Sequence, residues 1–283
     1  TMAVRAYLGS VDINDPRRFG HVDMINAQRS PGSTLKPFLY GMALDAGLIH
    51  SESLLQDVPR RYGDYRPGNF AAGFSGPVSA SEALASSLNL PAVQLLEAFG
   101  PKRFAGELRA AGVPLSLPAL AEPNLAIILG GAGSRLEALV GGYRALAQGG
   151  KAARIRLQPD APLLERRLLS PGSAWIIRRI LSGQSRPERD PRGAVQQGSQ
   201  LAWKTGTSYG FRDAWAIGLG PRYLIGIWIG RPDGTPVAGQ FGLASAAPLL
   251  LQVHDLLINR DRQRGMPLPA DPQPSSVGSA AIC

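Results

Sequence analysis

Residues 201–230 read LAWKTGTSYGFRDAWAIGLGPRYLIGIWIG and contain three short β-type runs separated by Gly and Pro turns. The runs are 201–205, 213–218 and 223–230, and their close spacing predicts a meander of adjacent antiparallel strands. Residues 244–259 follow as an amphipathic helix that is predicted to cover this sheet. Its apolar face carries Leu249, Leu250, Val253, Leu256 and Leu257.

Upstream of this meander, the alternating residues 3–11 predict a first strand, and most of the chain between reads as helix. One helix is predicted at 35–46, with Pro37 in its first turn. Two more are predicted to begin at the capping boxes 79–82 and 134–137, and another two at Pro91 and Pro171. The pattern predicts an α+β fold, in which an antiparallel sheet completed by the N-terminal strand is covered by helices and interrupted by a helical lobe.

We assign one domain to residues 1–264. Its sheet part covers about residues 1–32 and 195–260, and its helical lobe about residues 33–194. Residues 265–283 are rich in Pro, Ser and Ala and are predicted to be a linker or tail.

The composition suits a folded domain, because 283 residues with 44% hydrophobic content can bury a full core. The net charge of +9 suits an anionic partner without identifying it. No nucleic-acid motif is visible, and the longest apolar stretches, such as 223–229, are far shorter than the ~18 residues that span a bilayer. Thr1 leads directly into the alternating segment, so we expect further sequence upstream.

Lysine is scarce, since only Lys36, Lys102, Lys151 and Lys204 stand among the 30 basic residues. An ammonium group can be forced into its neutral form, whereas a guanidinium stays protonated in proteins. A site that needs an amine base therefore cannot replace lysine by arginine. This makes the remaining lysines candidates for chemistry, although chance retention explains Lys102 and Lys151 equally well.

Ser33-Thr-Leu-Lys36 places a hydroxyl and an amine three residues apart at a predicted helix start, so both side chains share one face. Serine becomes a nucleophile when a neighbour takes its proton, and a lysine partly buried beside another cation can act as that base. The N–H of Ser33 at the helix start is suited to an oxyanion. By itself, a Ser-x-x-Lys motif is expected about once by chance in such a chain.

Two further motifs follow along the chain. Ser87-Leu-Asn89 supplies a hydroxyl and a carboxamide in a turn between helices, although Ser and Asn favour turns for local reasons alone. Lys204-Thr-Gly206-Thr207 lies on a predicted strand, where a cation, hydroxyls and an open edge suit a peptide that ends in a carboxylate. A protective lysine on an ordinary edge strand is the alternative.

The order Ser-x-x-Lys, Ser-x-Asn, Lys-Thr-Gly is the motif set of penicillin-binding proteins and class A β-lactamases. Over nearly its whole length the chain resembles the transpeptidase domain of the bifunctional class A penicillin-binding proteins, of the 1C type. The resemblance extends to residues 29–38 (RSPGSTLKPF), 65–70 (YRPGNF), 76–93 (GPVSASEALASSLNLPAV) and 203–215 (WKTGTSYGFRDAW).

The resemblance implies a role for each motif residue. Ser33 would attack the carbonyl between the two terminal D-alanines of a peptidoglycan stem peptide, with Lys36 as base. Ser87, assisted by Lys204, would pass the proton to the leaving D-alanine, and Asn89 would hold the donor's amide and Lys36. Thr205 and Thr207, on either side of Gly206, would bind the terminal carboxylate, and the N–H groups of Ser33 and Thr207 would form the oxyanion hole.

An amine of a neighbouring stem peptide would then take the acyl group, whereas a β-lactam would leave Ser33 acylated. No cofactor or metal is implied, and His21, His50 and His254 have no ligand spacing. The family also implies an upstream glycosyltransferase domain and membrane anchor, and a location at the periplasmic face of the bacterial inner membrane. Cys283 is the single cysteine, so an internal disulfide is excluded and the compartment is left open.

Four alternatives remain at this point. A β-lactamase would need a deacylating glutamate, for which Glu122 is the candidate, although it reads as a surface acid. A D,D-carboxypeptidase would use water as acceptor, and a non-catalytic β-lactam sensor would keep Ser33 and Lys36 only for signalling. An unrelated basic binding module would not be acylated by penicillin at all.

Overall fold

A computed structural model describes residues 1–63, 65–69, 73–158, 160–184 and 201–266 of the chain. Beyond Met266, the predicted tail at 265–283 lies outside the described residues. The helices are α1 Lys36–Asp45, α2 Ala80–Ala85, α3 Asn89–Phe99, α4 Pro101–Ala110, α5 Leu136–Ala147, α6 Pro171–Ser182 and α7 Ala247–Gln263. The strands are β1 Leu54–Asp57, β2 Gly76–Ser79, β3 Lys151–Ala153, β4 Glu165–Arg167, β5 Ala202–Thr207, β6 Asp213–Leu219 and β7 Leu224–Gly230.

The last three strands form one antiparallel sheet in the order β5-β6-β7. Lys204 lies opposite Ile217, and Trp215 lies opposite Trp228. The short turns between these strands leave no room for a crossover, so neighbours in sequence are neighbours in the sheet. The predicted meander is confirmed.

The sheet lies between two apolar layers. Side chains alternate along β6, so that Trp215 and Ile217 join the main core with α1, α5 and α6, while Ala214 and Ala216 face the layer that contains α7. This arrangement, helices on both faces of an antiparallel sheet, confirms the α+β class. Within the described ranges, no helix is long and apolar enough to cross a membrane.

Helix α1 runs through the middle of the main core, because eight of its ten residues are buried. Phe38, Leu39 and Met42 contribute the apolar contacts, and the ring of Phe38 meets that of Tyr143 edge-on at 5.1 Å. In a helix that is buried on all sides, the polar side chains are buried together with the apolar ones. Lys36, the first residue of α1, is therefore fully enclosed.

The helix starts predicted by the Ser79 capping box and by Pro171 are confirmed, and a serine hydroxyl caps each of them. The Ser79 hydroxyl accepts a hydrogen bond from the N–H of Glu82, and the Ser170 hydroxyl accepts one from the N–H of Ser173 in front of α6. The box predicted at Ser134 does not form. Its backbone is paired with Arg29 in an isolated bridge, so α5 begins at Leu136 and the buried Ser134 hydroxyl is not its cap.

The predicted N-terminal strand was wrong. In the described part of the chain, residues 3–11 form a single bridge, a parallel one between Ala3 and Arg156. Leu8 and Val11 are 75% and 82% exposed, so the alternation of this segment does not mark a buried face. Polar side chains hold the segment instead, with the Tyr7 hydroxyl donating to Asp23 at 2.6 Å. Alternation alone does not specify a partner strand.

The predicted face of the last helix was also partly wrong. A π-helical turn, Gly242–Ala246, precedes α7, and the buried face carries Ala247, Leu250, His254, Ile258 and Asp261. Leu249 and Leu256 are 40% and 70% exposed. Asp261, which is buried on this face, pairs with Arg222 at 3.2 Å. The sequence pattern also missed the two hairpins β1–β2 and β3–β4.

Candidate active site

Ser33 lies in a 3-10 turn, Gly32–Leu35, that leads directly into α1. Its carbonyl oxygen accepts a hydrogen bond from the N–H of Lys36. Side chains three residues apart are eclipsed in this type of turn, so those of Ser33 and Lys36 lie on the same side. A side chain of α5 also holds this turn, since the Tyr143 hydroxyl donates a hydrogen bond to the Thr34 carbonyl at 2.8 Å.

Lys36 is fully buried and its amine is held by three acceptors of one turn. The Nζ atom donates to the carbonyl oxygens of Ser87 and Leu88 at 2.7 and 3.0 Å, and to Oδ1 of Asn89 at 2.7 Å. Burial lowers the pKa of Lys36 well below its ordinary value, and the charge of Lys204 lowers it further. The neutral amine, which is the form that can accept a proton, is therefore favoured relative to a lysine in solvent.

Ser87 connects the two buried lysines. Its carbonyl oxygen accepts from Lys36, and its hydroxyl accepts from Nζ of Lys204 at 2.8 Å. Its backbone is left-handed, with φ of 57°, a conformation that is uncommon outside glycine and recurs at functional sites. Asn89 was expected in the turn between helices and is the first residue of α3.

Lys204 lies on β5 and is 1% exposed. Besides Ser87, its amine donates to the carbonyl of Thr205 at 2.9 Å. Burial lowers the pKa of Lys204 to about 7. Two amines whose pKa values are lowered thus contact one serine, Lys36 at its carbonyl oxygen and Lys204 at its hydroxyl, a grouping typical of sites that move protons.

The exposed edge of β5 faces the Ser33 turn. The N–H of Ser208 donates to the carbonyl of Asp213 at 3.0 Å, which sets the alternation of bonded pairs along this strand. Gly206 therefore pairs with β6, and the backbone groups of Thr205 and Thr207 point to the other edge. Their half-buried side chains share one face of the strand.

Two glycines allow the turn and the strand to approach closely. A methyl group at Gly32, where φ is 53°, would overlap the carbonyl oxygen of Thr207. A methyl group at Gly206 would overlap the carbonyl oxygen of Pro31. The turn that contains Ser33 therefore lies directly beside the backbone of Thr207. The N–H groups of these two residues are the ones that were predicted to form an oxyanion hole.

All eight residues singled out from the sequence lie in this one region, in the turn before α1, the turn before α3, and β5. Sequence reasoning missed the π-helical turn before α7, where the N–H of Gly242 donates to the Thr207 hydroxyl at 3.0 Å. It also assigned no role to Asn69, whose Oδ1 accepts the N–H of Asn89 at 2.9 Å. The motif at 65–70 contains Asn69, but its chemistry is not visible in the sequence.

Glu122, the residue that a β-lactamase reading required, is exposed and pairs with Lys102 at 2.6 Å. It is thus a surface acid. Among the described residues, no cluster of three or more His, Cys, Asp or Glu side chains is arranged to hold a metal ion.

An α+β fold with a Ser-x-x-Lys turn, a Ser-x-Asn turn and a Lys-Thr-Gly edge strand defines the class of serine enzymes that interact with penicillin. Residues 7–117 match the family described as the penicillin-binding protein transpeptidase domain. The chain is 64% identical over 282 residues to penicillin-binding protein 1C of Escherichia coli, covering 100% of this chain and 36% of that protein. The chain therefore belongs to the family of penicillin-binding-protein transpeptidase domains.

More distant relatives agree. Penicillin-binding protein 1A of Clostridium acetobutylicum is 28% identical over 84% of this chain and 32% of that protein. The chain thus spans about a third of the length of these curated relatives. The structure of PonA1 from Mycobacterium tuberculosis in complex with penicillin V has a TM-score of 0.69 at 22% identity, covering 89% of this chain and 74% of that one. This likeness shows the shared fold.

Proposed function

We propose that this domain is a peptidoglycan D,D-transpeptidase that forms an acyl-enzyme at Ser33 with stem peptides ending in D-Ala-D-Ala. The observation that carries the proposal is the pair of fully buried amines, Lys36 and Lys204, that contact opposite ends of Ser87 beside the Ser33 turn. Burying a lysine amine costs free energy of desolvation. Buried lysines with lowered pKa values are therefore concentrated at functional sites.

In the first half of the reaction, the Ser33 hydroxyl attacks the carbonyl between the two D-alanines while Lys36 accepts its proton. The N–H groups of Ser33 and Thr207 stabilise the negative charge on that carbonyl oxygen. The Ser87 hydroxyl, in contact with Lys204, passes a proton to the departing D-alanine amine. The peptide bond breaks and an ester to Ser33 forms.

Substrate recognition uses the strand edge and the turn before α3. The donor peptide aligns along β5, with its terminal carboxylate at the hydroxyls of Thr205 and Thr207 on either side of Gly206. Asn89 holds the amide of the donor as well as Lys36. The charge of Lys204 and the hydroxyls complement the carboxylate.

In the second half, an amine from a neighbouring stem peptide attacks the ester and gives up a proton as Ser33 is released. A β-lactam imitates the donor and leaves Ser33 acylated. We further propose that residues 1–264 are the transpeptidase unit of a longer protein, with a helical lobe at about residues 33–194. In that protein, an upstream glycosyltransferase domain and membrane anchor would place the unit at the periplasmic face of the inner membrane.

Labelling with a fluorescent penicillin tests the acyl-enzyme. We expect one labelled site, lost in Ser33→Ala and kept in the surface variant Glu122→Ala. The proposal fails if the wild-type protein is not labelled. Rapid loss of the label that depends on Glu122 would instead indicate a β-lactamase.

A second experiment follows the acyl group. A thioester or D-Ala-D-Ala donor is offered with a labelled amine acceptor, and the product is identified by mass spectrometry. Transfer to the amine supports a transpeptidase, release to water alone indicates a D,D-carboxypeptidase, and labelling without any turnover indicates a sensor.

A further inference from the structure

A chain of hydrogen bonds leads from the Lys36 amine to a buried carboxylate on the first hairpin. Asn89 accepts from Lys36 through Oδ1, and its own N–H donates to Oδ1 of Asn69 at 2.9 Å. Nδ2 of Asn69 donates to Oδ1 of Asp57 at 2.7 Å. The carboxylate thus lies two carboxamides away from the amine.

Asp57 is suited to anchor this chain. It is the last residue of β1 and is fully buried, and its second oxygen accepts the N–H of Ser75 at 2.8 Å. The carboxylate thereby connects both ends of the segment between β1 and β2. A buried charge of this kind is costly unless its bonds are made, so its position is fixed by its partners.

The loop between β1 and β2 is attached twice to Asn89. Besides the bond from the Asn89 N–H to Asn69, Nδ2 of Asn89 donates to the carbonyl of Gly68 at 2.7 Å. This second bond leaves only Oδ1 of Asn89 to face the Lys36 amine. The orientation of that carboxamide is therefore set by the loop.

The partners also fix the orientation of Asn69. A carboxylate can only accept a hydrogen bond, so the NH₂ group of Asn69 must face Asp57. A backbone N–H can only donate, so the oxygen of Asn69 must face Asn89. Each polar group in the chain has one arrangement, and a connected network of this type behaves as a unit.

We propose that Asn69 and Asp57 are positioning residues of the acylation reaction, which hold Asn89 in the orientation that receives the Lys36 amine. They touch neither the nucleophile nor the substrate in this scheme and act through Asn89. The inference rests on the proposed acyl-enzyme reaction at Ser33. It adds a carboxylate and a carboxamide, both outside the three motifs, to the residues that the reaction requires.

Asn69→Ala is the first test, because it removes the bonds of this side chain to Asn89, Asp57 and the Gly73 carbonyl without leaving a new charge. We expect the rate of Ser33 acylation by a fluorescent penicillin to fall at least about 10-fold, as small displacements of catalytic groups do. Because the ammonium form of Lys36 loses a well-placed acceptor, its pKa falls and the rising part of the pH–rate profile moves to lower pH. A purely structural role would lower stability without moving the profile.

A reciprocal exchange provides the rescue. In Asn69→Asp, the new carboxylate faces that of Asp57. In Asp57→Asn, the new NH₂ group faces a donor at one of the two bonds that Asp57 makes, either to Asn69 or to the N–H of Ser75. Acylation should therefore be at least about 10-fold slower in each single variant. At the contact between the two side chains, the double variant Asp57→Asn with Asn69→Asp restores one donor and one acceptor with reversed polarity, and it loses only the weaker bond to the Gly73 carbonyl, which is 3.2 Å long in the wild type. We expect its acylation rate to return to within about threefold of the wild type, as coupled residues do.

The exposed carboxamide and carboxylate of Asn26 and Asp23 form a matched control, with Asn26 Nδ2 donating to Asp23 at 2.8 Å. Asn26→Asp and Asp23→Asn should leave the acylation rate unchanged. A folded Asn69→Ala variant with the rate and profile of the wild type overturns the inference. Absence of wild-type labelling at Ser33 overturns the proposed function instead, so the two failures are distinguishable.

Discussion

At the scale of single residues, the two buried lysines give the site its dependence on pH. In the proposed reaction, Lys36 must be neutral to accept a proton, whereas Lys204 must be charged to assist Ser87. Their pKa values are both lowered by burial, that of Lys204 to about 7. Acylation is therefore expected to rise with pH as Lys36 loses its proton and to fall above about pH 7 as Lys204 does.

Lys204→Arg tests this assignment, since a guanidinium stays charged throughout the accessible range. We expect the falling part of the pH–rate profile to disappear, together with a maximal rate at least about 10-fold lower, because the planar fork fits the compact contact with Ser87 poorly. The measurement is the rate of penicillin labelling between pH 5 and 9.5. Lys102→Arg on the surface is the control, and a falling part that persists in Lys204→Arg would contradict the assignment.

The residues of the proposed site were predictable because each belongs to a short motif, and Lys36 and Lys204 stand out further because lysine is scarce in this chain. Asp57 was not predictable. It is an ordinary acid at the end of a short strand, and its hydrogen-bond partners, Asn69 and Ser75, lie 12 and 18 residues further along the chain. Long-range polar contacts of this kind leave no periodic signal in the chain.

At the scale of elements, the site depends on how closely the Ser33 turn approaches β5. Gly32→Ala would insert a methyl group against the Thr207 carbonyl and displace the turn. We expect acylation to fall about 100-fold, as misplacement of a nucleophile by about 1 Å does. The measurement is the labelling rate, combined with a thermal unfolding curve.

Gly149→Ala is the matched control for this variant. Gly149 has nearly the same backbone conformation, with φ of 55° against 53°, but open space around it. Both variants carry the strain of a left-handed alanine, about 1 kcal/mol. Equal loss of acylation in the two would show that strain, and not the approach to β5, is responsible.

Helix α7 offers a comparison of two leucines that the sequence placed on the same face. Leu250 is fully buried against the sheet, whereas Leu256 is 70% exposed. We expect Leu250→Ala to lower the free energy of unfolding by about 2–5 kcal/mol and Leu256→Ala by less than about 0.5 kcal/mol. Urea unfolding measures both, and similar losses would mean that α7 packs as the apolar pattern predicted.

At the scale of the whole molecule, the sheet was predictable where consecutive strands pair and not where a distant segment was needed. The meander β5-β6-β7 follows from short turns, so local sequence determines it. The segment at 3–11 has the alternation of a strand but pairs only at Ala3 within the described residues. Which segment completes a sheet is set by competition for edges across the chain, and no local pattern records it.

Burying the two lysines lowers the free energy of unfolding of the whole domain, and the size of this loss should depend on pH. The pKa of Lys204 is about 7 in the folded protein, against 10.5 as its ordinary value. Between these values the unfolded chain binds a proton that the folded chain lacks, so the free energy of unfolding rises as pH increases from about 7. Lys36 acts in the same direction, because burial and the charge of Lys204 lower its pKa as well.

At alkaline pH the buried tyrosines reverse this trend. Burial raises the pKa of Tyr40 and Tyr143, so above about pH 10 the unfolded phenols ionise while the folded ones do not. Stability should therefore be greatest at about pH 9–10.

Lys204→Met keeps the length of the side chain and removes its proton. The rise in the free energy of unfolding between pH 7 and 9 should therefore be smaller in this variant by up to about 1.4 kcal/mol per pH unit. Urea unfolding at pH 7, 8 and 9 measures the slope, with exposed Lys102→Met as control, and an unchanged slope in Lys204→Met would mean that Lys204 remains protonated in the folded protein.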